Sequence, residues 1–244
     1  MAILETRNLA KSFGALRALD GVDFVTEVGT FHGLIGPNGS GKSTLLKALA
    51  GALLPDSGSV FFDGRDITRA TPWERARAGL SLKFQITAVL PQLSVYDNVL
   101  LVMQNDQGLC SLLCSRTRRS LDPEIMDALA RFRLADQADR MASELSHGQQ
   151  QWLEIAMALA MRPKLLLLDE PTAGMSPEER RVTGQLLEPI RSACALVIVE
   201  HDLDFIRDIC DRLTVLDQGR VLDDGTVAEI QASAKVQQIY TSRV

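Results

Sequence analysis

The chain has 244 residues, of which 46% are hydrophobic and 23% are charged, a composition typical of a globular protein and unlike that of a disordered chain. Its 26 basic and 31 acidic residues give a net charge of −5, which opposes binding to nucleic acid through a basic surface. The apolar runs fall far short of the ~20 residues that a membrane-spanning helix needs, and the N-terminal residues do not have the pattern of a signal peptide.

The first sixty residues predict short strands separated by glycine and aspartate turns. Residues 60–62 are apolar and are followed by an Asp-Gly pair, which predicts a hairpin turn. The apolar run Phe31–Ile35 predicts a strand that enters a glycine-rich loop. Residues 43–50 then predict a helix that ends at Gly51.

Residues 71–142 are rich in helix formers and predict an inserted helical lobe. Thr71 and Pro72 suit the N-cap and first turn of one helix, and Asp122 with Pro123 predicts the start of another. The last third alternates strand and helix. Residues 164–169 and 195–199 are apolar on both faces, as in strands of a parallel sheet covered by helices. Residues 213–216 and 220–222 predict a terminal hairpin.

Residues 36–43 match the phosphate-binding pattern GxxxxGK[ST] at every fixed position, between a predicted strand and a predicted helix. Glycines let successive backbone N–H groups face one anion, and the helix N-terminus adds positive potential. We expect Lys42 to reach the terminal phosphates of a nucleotide and the Ser43 hydroxyl to hold Mg²⁺. The predicted phosphate-binding residues are Gly36, Pro37, Asn38, Gly39, Ser40, Gly41, Lys42, Ser43 and Thr44.

Two more segments point to nucleotide chemistry. Asp169 ends a predicted buried strand, where a carboxylate beside a phosphate loop is placed to hold Mg²⁺. Glu170, the next residue, is expected to orient or deprotonate a water molecule. Ser146 suits the N-cap of the helix that follows it, and Gly148 exposes backbone N–H groups there. By pattern alone, a helix that is merely capped explains Ser146 equally well.

The phosphate loop, the segment 145–151 (Leu-Ser-His-Gly-Gln-Gln-Gln) and the strand that ends at Asp169, in this order, resemble the ATP-binding subunits of ABC transporters. The resemblance covers essentially the whole chain. It implies an α/β fold in which a P-loop NTPase core with a mostly parallel sheet carries an N-terminal antiparallel β subdomain and an inserted α-helical subdomain. Residues 1–244 would form one ABC-type ATPase domain. Residues 1–85 and 160–244 would form the RecA-like core with the antiparallel subdomain, and residues 86–159 the helical subdomain ending in the signature motif.

The resemblance also adds functional residues that the patterns alone do not single out. Gln85 matches the Q-loop glutamine, which would contact Mg²⁺ together with Ser43 and Asp169. His201 matches the switch histidine that contacts the terminal phosphate, and Phe13 matches the aromatic residue that stacks on adenine. The catalytic set implied is Lys42, Glu170 and His201.

The signature motif of one subunit, here Ser146, Gly148 and Gln149, faces the phosphate loop of a second subunit in this family. The resemblance therefore implies that ATP and Mg²⁺ are bound between two ATPase subunits, identical or paralogous. Because this chain shows no membrane span, the movement of the two subunits on ATP binding and hydrolysis would be passed on to separate membrane permeases. We interpret Val89, Leu90 and Leu93 as a permease contact, although packing within the helical lobe explains them equally well.

Two departures from the usual family pattern narrow the expected subfamily. His147 stands where the signature usually has glycine, and Ser176 stands where many members have aspartate. Both, with the Lys-Phe-Gln context of Gln85, look like the subfamily that powers uptake of branched-chain amino acids. A close branch serves urea and short amides and gives the alternative cargo. The expected location is the cytoplasmic face of the inner membrane, peripherally bound, with an extracytoplasmic substrate-binding protein as an indirect partner.

An ABC ATPase of another class, acting on DNA or ribosomes without transport, is the competing hypothesis. That class generally has two nucleotide domains in one chain or a long coiled-coil insertion, and neither fits within 244 residues. The acidic balance of the chain also disfavours a nucleic-acid partner. We therefore expect a transport ATPase that does not bind nucleic acid.

Overall fold

A computed structural model describes residues 1–83, 89–104 and 117–241. For residues 117–119, 240 and 241 it describes the backbone only. It divides into two compact units. The first unit consists of Met1–Leu82, Lys164–Pro171 and Glu188–Val244, and the second of Lys83–Pro163 and Thr172–Leu187. The predicted helical subdomain, residues 86–159, differs from the second unit chiefly in lacking Thr172–Leu187.

The strands in chain order are β1 (Ala2–Phe13), β2 (Leu16–Glu27), β3 (Phe31–Ile35), β4 (Ser57–Phe62), β5 (Arg65–Asp66), β6 (Leu80–Lys83), β7 (Leu165–Asp169), β8 (Ala195–Val199), β9 (Arg212–Asp217) and β10 (Arg220–Thr226). Within the described ranges the α-helices are α1 (Lys42–Leu49), α2 (Pro72–Ala78), α3 (Val95–Gln104), α4 (Thr117–Arg131), α5 (His147–Ala160), α6 (Pro177–Leu187), α7 (Leu203–Ile209), α8 (Val227–Ala232) and α9 (Ala234–Thr241). Short 3₁₀ segments occupy Ala135–Gln137, Ala142–Glu144 and Glu188–Ser192.

Two sheets organise the strands. The first is antiparallel, with strand order β2-β1-β4-β5. The second has the order β10-β9-β3-β8-β7-β6, in which β9, β3, β8 and β7 pair in parallel and β10 pairs antiparallel with β9. Every residue of β3, β7 and β8 is buried, which explains why these strands read as unbroken apolar runs. The predicted mostly parallel sheet, N-terminal antiparallel sheet and terminal hairpin are confirmed.

One hydrophobic core in the first unit joins the two sheets and α1. It contains Leu4, Leu9 and Phe24 from the antiparallel sheet, Leu34, Leu165 and Val197 from the parallel strands, and Leu45 and Leu49 from α1. This packing fixes α1 directly behind the glycine-rich loop. The predicted cap of α2 is also confirmed, because Thr71 and Glu74 form a complete capping box.

The second unit is helical. Trp152 of α5 donates a hydrogen bond from its indole Nε1 to Thr183 Oγ1 of α6 at 2.8 Å, and this contact helps explain why Thr172–Leu187 groups with the helical unit. The predicted helix start at Asp122 is wrong: α4 begins at Thr117 and Pro123 lies inside it. Inside a helix proline removes one i→i−4 hydrogen bond and its ring crowds the preceding turn, a cost that α4 carries at Pro123. None of the described helices combines the length and apolar character needed to cross a membrane.

Candidate active site

The glycine-rich loop lies between the end of β3 and the start of α1. At Gly36, φ is +147°, and a Cβ atom would lie 2.1 Å from the carbonyl oxygen of Leu216 in β9. No side chain fits there, so the pattern's first glycine is a steric requirement. The far side of the loop is held by a hydrogen bond from Gly219 N to Ser40 O at 2.9 Å. The loop is therefore clamped against the turn between β9 and β10.

Helix α1 begins without a side-chain cap from any described residue, and its N-cap is Gly41. Capped helices satisfy one or more of the first-turn N–H groups internally, whereas this arrangement leaves them for a ligand. The hydroxyl of Ser40 is buried and forms no hydrogen bond with the described part of the chain. An orphaned buried hydroxyl beside an uncapped helix N-terminus fits a phosphate group that accepts hydrogen bonds from both.

Lys42 folds back across this loop. Its side chain is buried, and the ammonium Nζ donates to the carbonyl oxygens of Gly36 at 2.7 Å and Pro37 at 2.9 Å. Burial lowers the pKa of Lys42, while the negative charges of Glu170 and Asp169 partly raise it again. The structure thus brings the predicted lysine and both predicted carboxylates into one electrostatic neighbourhood.

Asp169 and Glu170 leave the sheet at the carboxyl end of β7. Asp169 is the buried last residue of the strand. At Glu170 the backbone turns into the left-handed region, with φ of +49°, and its N–H donates to Val199 O at 2.9 Å. A left-handed conformation is costly for a residue with a side chain and is found often at functional sites. Here it marks the point at which the chain leaves β7.

His201 follows the neighbouring strand β8 and lies next to Glu170. Its Nε2 is 3.1 Å from Glu170 Oε1, so the imidazole and the carboxylate lie side by side. The backbone N–H of His201 donates to Glu200 Oε2 at 3.1 Å, which steadies the turn that carries the ring. The sequence placed these two residues 31 positions apart, and the parallel pairing of β7 and β8 joins them.

The residues predicted to hold Mg²⁺ fit an ion that arrives with a nucleotide. In residues 1–83, 89–104 and 117–241, no group of three or more His, Cys, Asp or Glu could hold a metal by itself. Ser43 and Asp169 offer a hydroxyl and a carboxylate, which are oxygen donors of the kind Mg²⁺ prefers. Mg²⁺ usually completes its octahedral shell with water and substrate phosphates. Gln85, the third predicted ligand, lies outside the described residues.

Phe13, the predicted adenine contact, lies at the end of β1 and is 50% exposed. Lys11 Nζ is 5.8 Å from the centroid of its ring, and the same ammonium pairs with Asp56 at 2.7 Å. The structure therefore leaves much of the ring accessible for stacking.

The predicted signature residues lie in the second unit. Ser146 is the N-cap of α5: its Oγ accepts from Gln149 N at 3.2 Å, and Gln149 Oε1 accepts from Ser146 N at 3.0 Å. This capping box uses the serine hydroxyl only as an acceptor, so its hydrogen can still be donated. Ser146 is exposed, whereas Gly148 is buried. The end of α5 thus presents a hydroxyl donor to its surroundings.

Sequence reasoning missed a buried charged group in the same unit. Lys83 donates from Nζ to Gln151 Oε1 and lies 3.1 Å from Glu154 Oε2, and both ends of the ion pair are almost fully buried. Gln151 and Glu154 are one helical turn apart in α5, among apolar neighbours. Two polar residues on an otherwise apolar helix face were the available signal.

Three comparisons with known proteins agree with this geometry. The family model described as "ABC transporter" matches residues 19–173. The probable branched-chain amino acid transport ATP-binding protein LivG of Methanocaldococcus jannaschii is 34% identical over 98% of this chain and 97% of its own length. The methionine import ATP-binding protein MetN 1 of Burkholderia pseudomallei is 36% identical over 93% of this chain, but the match covers only 66% of that relative's length.

A solved structure shows the same fold. The ADP conformation of an ATP-binding cassette of an ABC transporter has a TM-score of 0.87 with this chain and is 32% identical to it, with all of both chains covered. The family match, the LivG relative and this shared fold support one conclusion. The chain belongs to the ABC transporter family, as an ATP-binding domain with the ABC ATPase fold.

Proposed function

We propose that this chain is the ATP-hydrolysing subunit of an ABC importer that takes up branched-chain or related amino acids through separate membrane permeases. The observation that carries the proposal is the Glu170–His201 pair, placed in one electrostatic neighbourhood with Asp169 and Lys42. The LivG relative is named for branched-chain amino acid transport and matches this chain over nearly its whole length. That similarity supports branched-chain amino acids as the cargo. MetN 1, which is named for methionine import, supports an amino-acid importer more broadly. Urea or a short-chain amide remains the alternative cargo.

The phosphates would be bound by an exchange of partners at Lys42. Its ammonium now donates to two loop carbonyls, and on nucleotide binding it would donate to phosphate oxygens, which form stronger, charge-assisted bonds. Ser40 and the first-turn N–H groups of α1 would add their hydrogen bonds to the same phosphates. Phe13 would stack on the adenine ring. When bound, Mg²⁺ would neutralise phosphate charge, held by Ser43, Asp169 and, from the family resemblance, Gln85.

Hydrolysis would depend on Glu170 and His201. Glu170, with the His201 imidazole 3.1 Å from its Oε1, would orient a water molecule and take its proton. His201 is exposed enough for its ring to reach a phosphate as well. Positioning and charge stabilisation supply most of the acceleration in phosphoryl transfer, so the placement of this carboxylate is the important feature.

A second ATPase subunit would complete the site. One helix N-terminus and one lysine leave part of a triphosphate's charge facing water, and a second helix N-terminus can cover it. The Ser146 end of α5 suits this task because it is exposed and keeps a hydroxyl hydrogen for donation. ATP would then join two subunits, and its hydrolysis would separate them.

The permease contact would lie on the second unit at Leu90 and Leu93. Leu90 is 43% exposed, and Asn98 holds its backbone by accepting from Leu90 N at 2.8 Å and donating to Leu90 O at 3.1 Å. Leu93 is half-buried. Val89, the third residue of the predicted contact, is buried and is therefore not included in the proposed permease contact. A permease bound here would keep the chain at the cytoplasmic face of the inner membrane. The extracytoplasmic binding protein would act only through that permease.

The test is Glu170→Gln, which keeps the size of the side chain and removes its charge. We expect ATP hydrolysis to fall at least ~100-fold and the variant to accumulate as an ATP-bound dimer on a sizing column. Glu27→Gln, on the exposed surface of β2, is the matched control and should leave both measurements unchanged. Equal hydrolysis by the Glu170→Gln protein and the parent would show that the proposed role of Glu170 is wrong.

A further inference from the structure

His147 makes a contact within the second unit that no glycine at this position could make. It is the first residue of α5, and its Nε2 lies 3.0 Å from the carbonyl oxygen of Ala173. Since a carbonyl oxygen only accepts, the ring nitrogen is the donor, and Nε2 carries the hydrogen. Ala173 lies three residues after Glu170 in the sequence. The bond therefore links the signature end of α5 to the chain that leaves the catalytic carboxylate.

The backbone after Ala173 is shaped around the same ring. Gly174 has φ of +73°, and a Cβ atom there would lie 3.1 Å from both Cδ2 and Nε2 of His147. That separation is closer than an ordinary van der Waals contact, so a side chain at Gly174 would push against the imidazole. The ring is thus held by a hydrogen bond on one atom and by close backbone packing beside it.

The other end of this segment is fixed by α6. Ser176 N donates to Glu179 Oε2 at 2.8 Å, and Glu179 N donates to Ser176 Oγ at 3.3 Å. Hydrogen bonds from the backbone and side chain of Ser176 lower the pKa of Glu179, with a smaller contribution from His147. A Cβ atom on Gly148 would lie 2.6 Å from Glu179 Oε1, so this carboxylate also lies against the first turn of α5. Residues 173–176 are therefore held against α5 from both ends.

We propose that His147 is a positioning residue for ATP hydrolysis, which rests on the proposed function above. Its hydrogen bond to Ala173 makes the Ser146 end of α5 and the segment that follows Glu170 move together. When a nucleotide brings the Ser146 end of one subunit to the phosphate loop of another, the same movement fixes the position of residues 173–176. These residues follow the catalytic carboxylate of Glu170 in the chain. His147 acts through these backbone positions and needs no contact with the nucleotide.

The first test compares His147→Phe with His147→Gln. Phenylalanine fills the space without a donor, whereas the amide Nε2–H of glutamine can donate to Ala173 O from a similar distance along the side chain. We expect His147→Phe to lower kcat about fivefold to tenfold, the usual effect of losing one hydrogen bond, with little change in KM for ATP. His147→Gln should recover most of the loss. Parent-like kcat for His147→Phe, or a glutamine variant as impaired as the phenylalanine one, would overturn the proposal.

The second test is a double-mutant cycle of His147→Gly and Gly174→Ala. The backbone strain of alanine at positive φ is the same with and without the His147 ring, so it cancels in the cycle. What remains is the interaction energy between residues 147 and 174. Gly174→Ala should therefore lower kcat more in the parent than in the His147→Gly protein. Equal fold-changes in both backgrounds would show that the ring does not position this segment.

The two proposals fail in different ways. If Glu170→Gln hydrolyses ATP like the parent, the proposed function fails whatever the His147 variants do. If Glu170→Gln is inactive while His147→Phe and the cycle leave kcat unaffected, only the role of His147 is wrong. Melting temperatures of all the variants, measured beside the rates, identify a loss of folded protein, and the glutamine rescue excludes it as the cause.

Discussion

We propose phosphate binding at the N-termini of both α1 and α5, but the two helix ends are built in opposite ways. Helix α1 follows a glycine loop and begins with no side-chain cap from the described residues. Helix α5 begins with a complete capping box between Ser146 and Gln149. In α1 no side chain of the described residues caps the first-turn N–H groups, whereas in α5 that of Gln149 is already satisfied and the serine hydroxyl is an additional donor.

The two helices are also anchored differently. Arg75 of α2 is fully buried and donates to four backbone carbonyls, among them Ala48 O at 2.7 Å and Leu49 O at 2.6 Å at the end of α1. Burial lowers its pKa to about 10, although the negative charge of Asp66 opposes the shift. Helix α5 carries instead a buried ion pair between Lys83 and Glu154 among its anchoring contacts. The buried charge of Arg75 is therefore compensated by backbone carbonyls, whereas that of Lys83 is compensated by the charge of Glu154.

The largest expected effect tests the anchor of α5. Lys83→Met removes a charge and leaves Glu154 buried without it, which should lower the free energy of unfolding by about 3–5 kcal/mol. Urea denaturation measures the change. Adding Glu154→Met should recover most of the loss, because the two charges are then removed together. Lys164→Met is the matched control: its ion pair with Asp63 is exposed, so the change should stay below about 1 kcal/mol.

If the double variant is as unstable as Lys83→Met alone, the buried pair is not what holds α5, and the contrast with the backbone anchor of α1 disappears. A Lys83→Met protein as stable as the parent would have the same consequence.

The next effect tests the backbone-built end. Lys42→Ala removes the only side-chain ammonium of the phosphate loop, so ATP hydrolysis should fall about 100-fold to 1,000-fold. Two hydrogen bonds to loop carbonyls are lost as well, but the core behind α1 keeps the fold. Lys47→Ala, on the exposed side of the same helix, is the matched control and should keep the parent rate. An ATPase assay and a thermal melt of both proteins measure the difference, and equal rates would refute the assigned role of Lys42.

The contrast between the helices also explains what the sequence could predict. The phosphate loop was recognisable partly because its geometry forbids a side chain at Gly36, which faces Leu216 O so closely that only glycine fits. The end of β7 at Asp169 and the helix cap at Ser146 were recognisable because local sequence patterns specify both.

Side-chain contacts between distant segments left no such pattern. The bond of His147 to Ala173 spans 26 residues, and that of Lys83 to Gln151 spans 68. Neither partner could be named without the fold, because a lone histidine or lysine is compatible with many surroundings. The start of α4 was missed for a different reason: Pro123 was taken as a first-turn residue, whereas the helix extends past it toward Thr117.

The smallest effect decides whether Ser146 does more than cap a helix. Ser146→Ala should cost about 1 kcal/mol of stability through loss of the cap, a fall of about 2–4 °C in melting temperature for a chain of this size. Thr71→Ala, in the same kind of capping box on α2, should cost a similar amount. Only Ser146→Ala also removes the hydroxyl donor meant for a second subunit's nucleotide, so in a Glu170→Gln background it alone should reduce the ATP-bound dimer on a sizing column. If both variants leave the dimer equally intact, the serine is a cap and nothing more, and the two helix ends do not share a ligand.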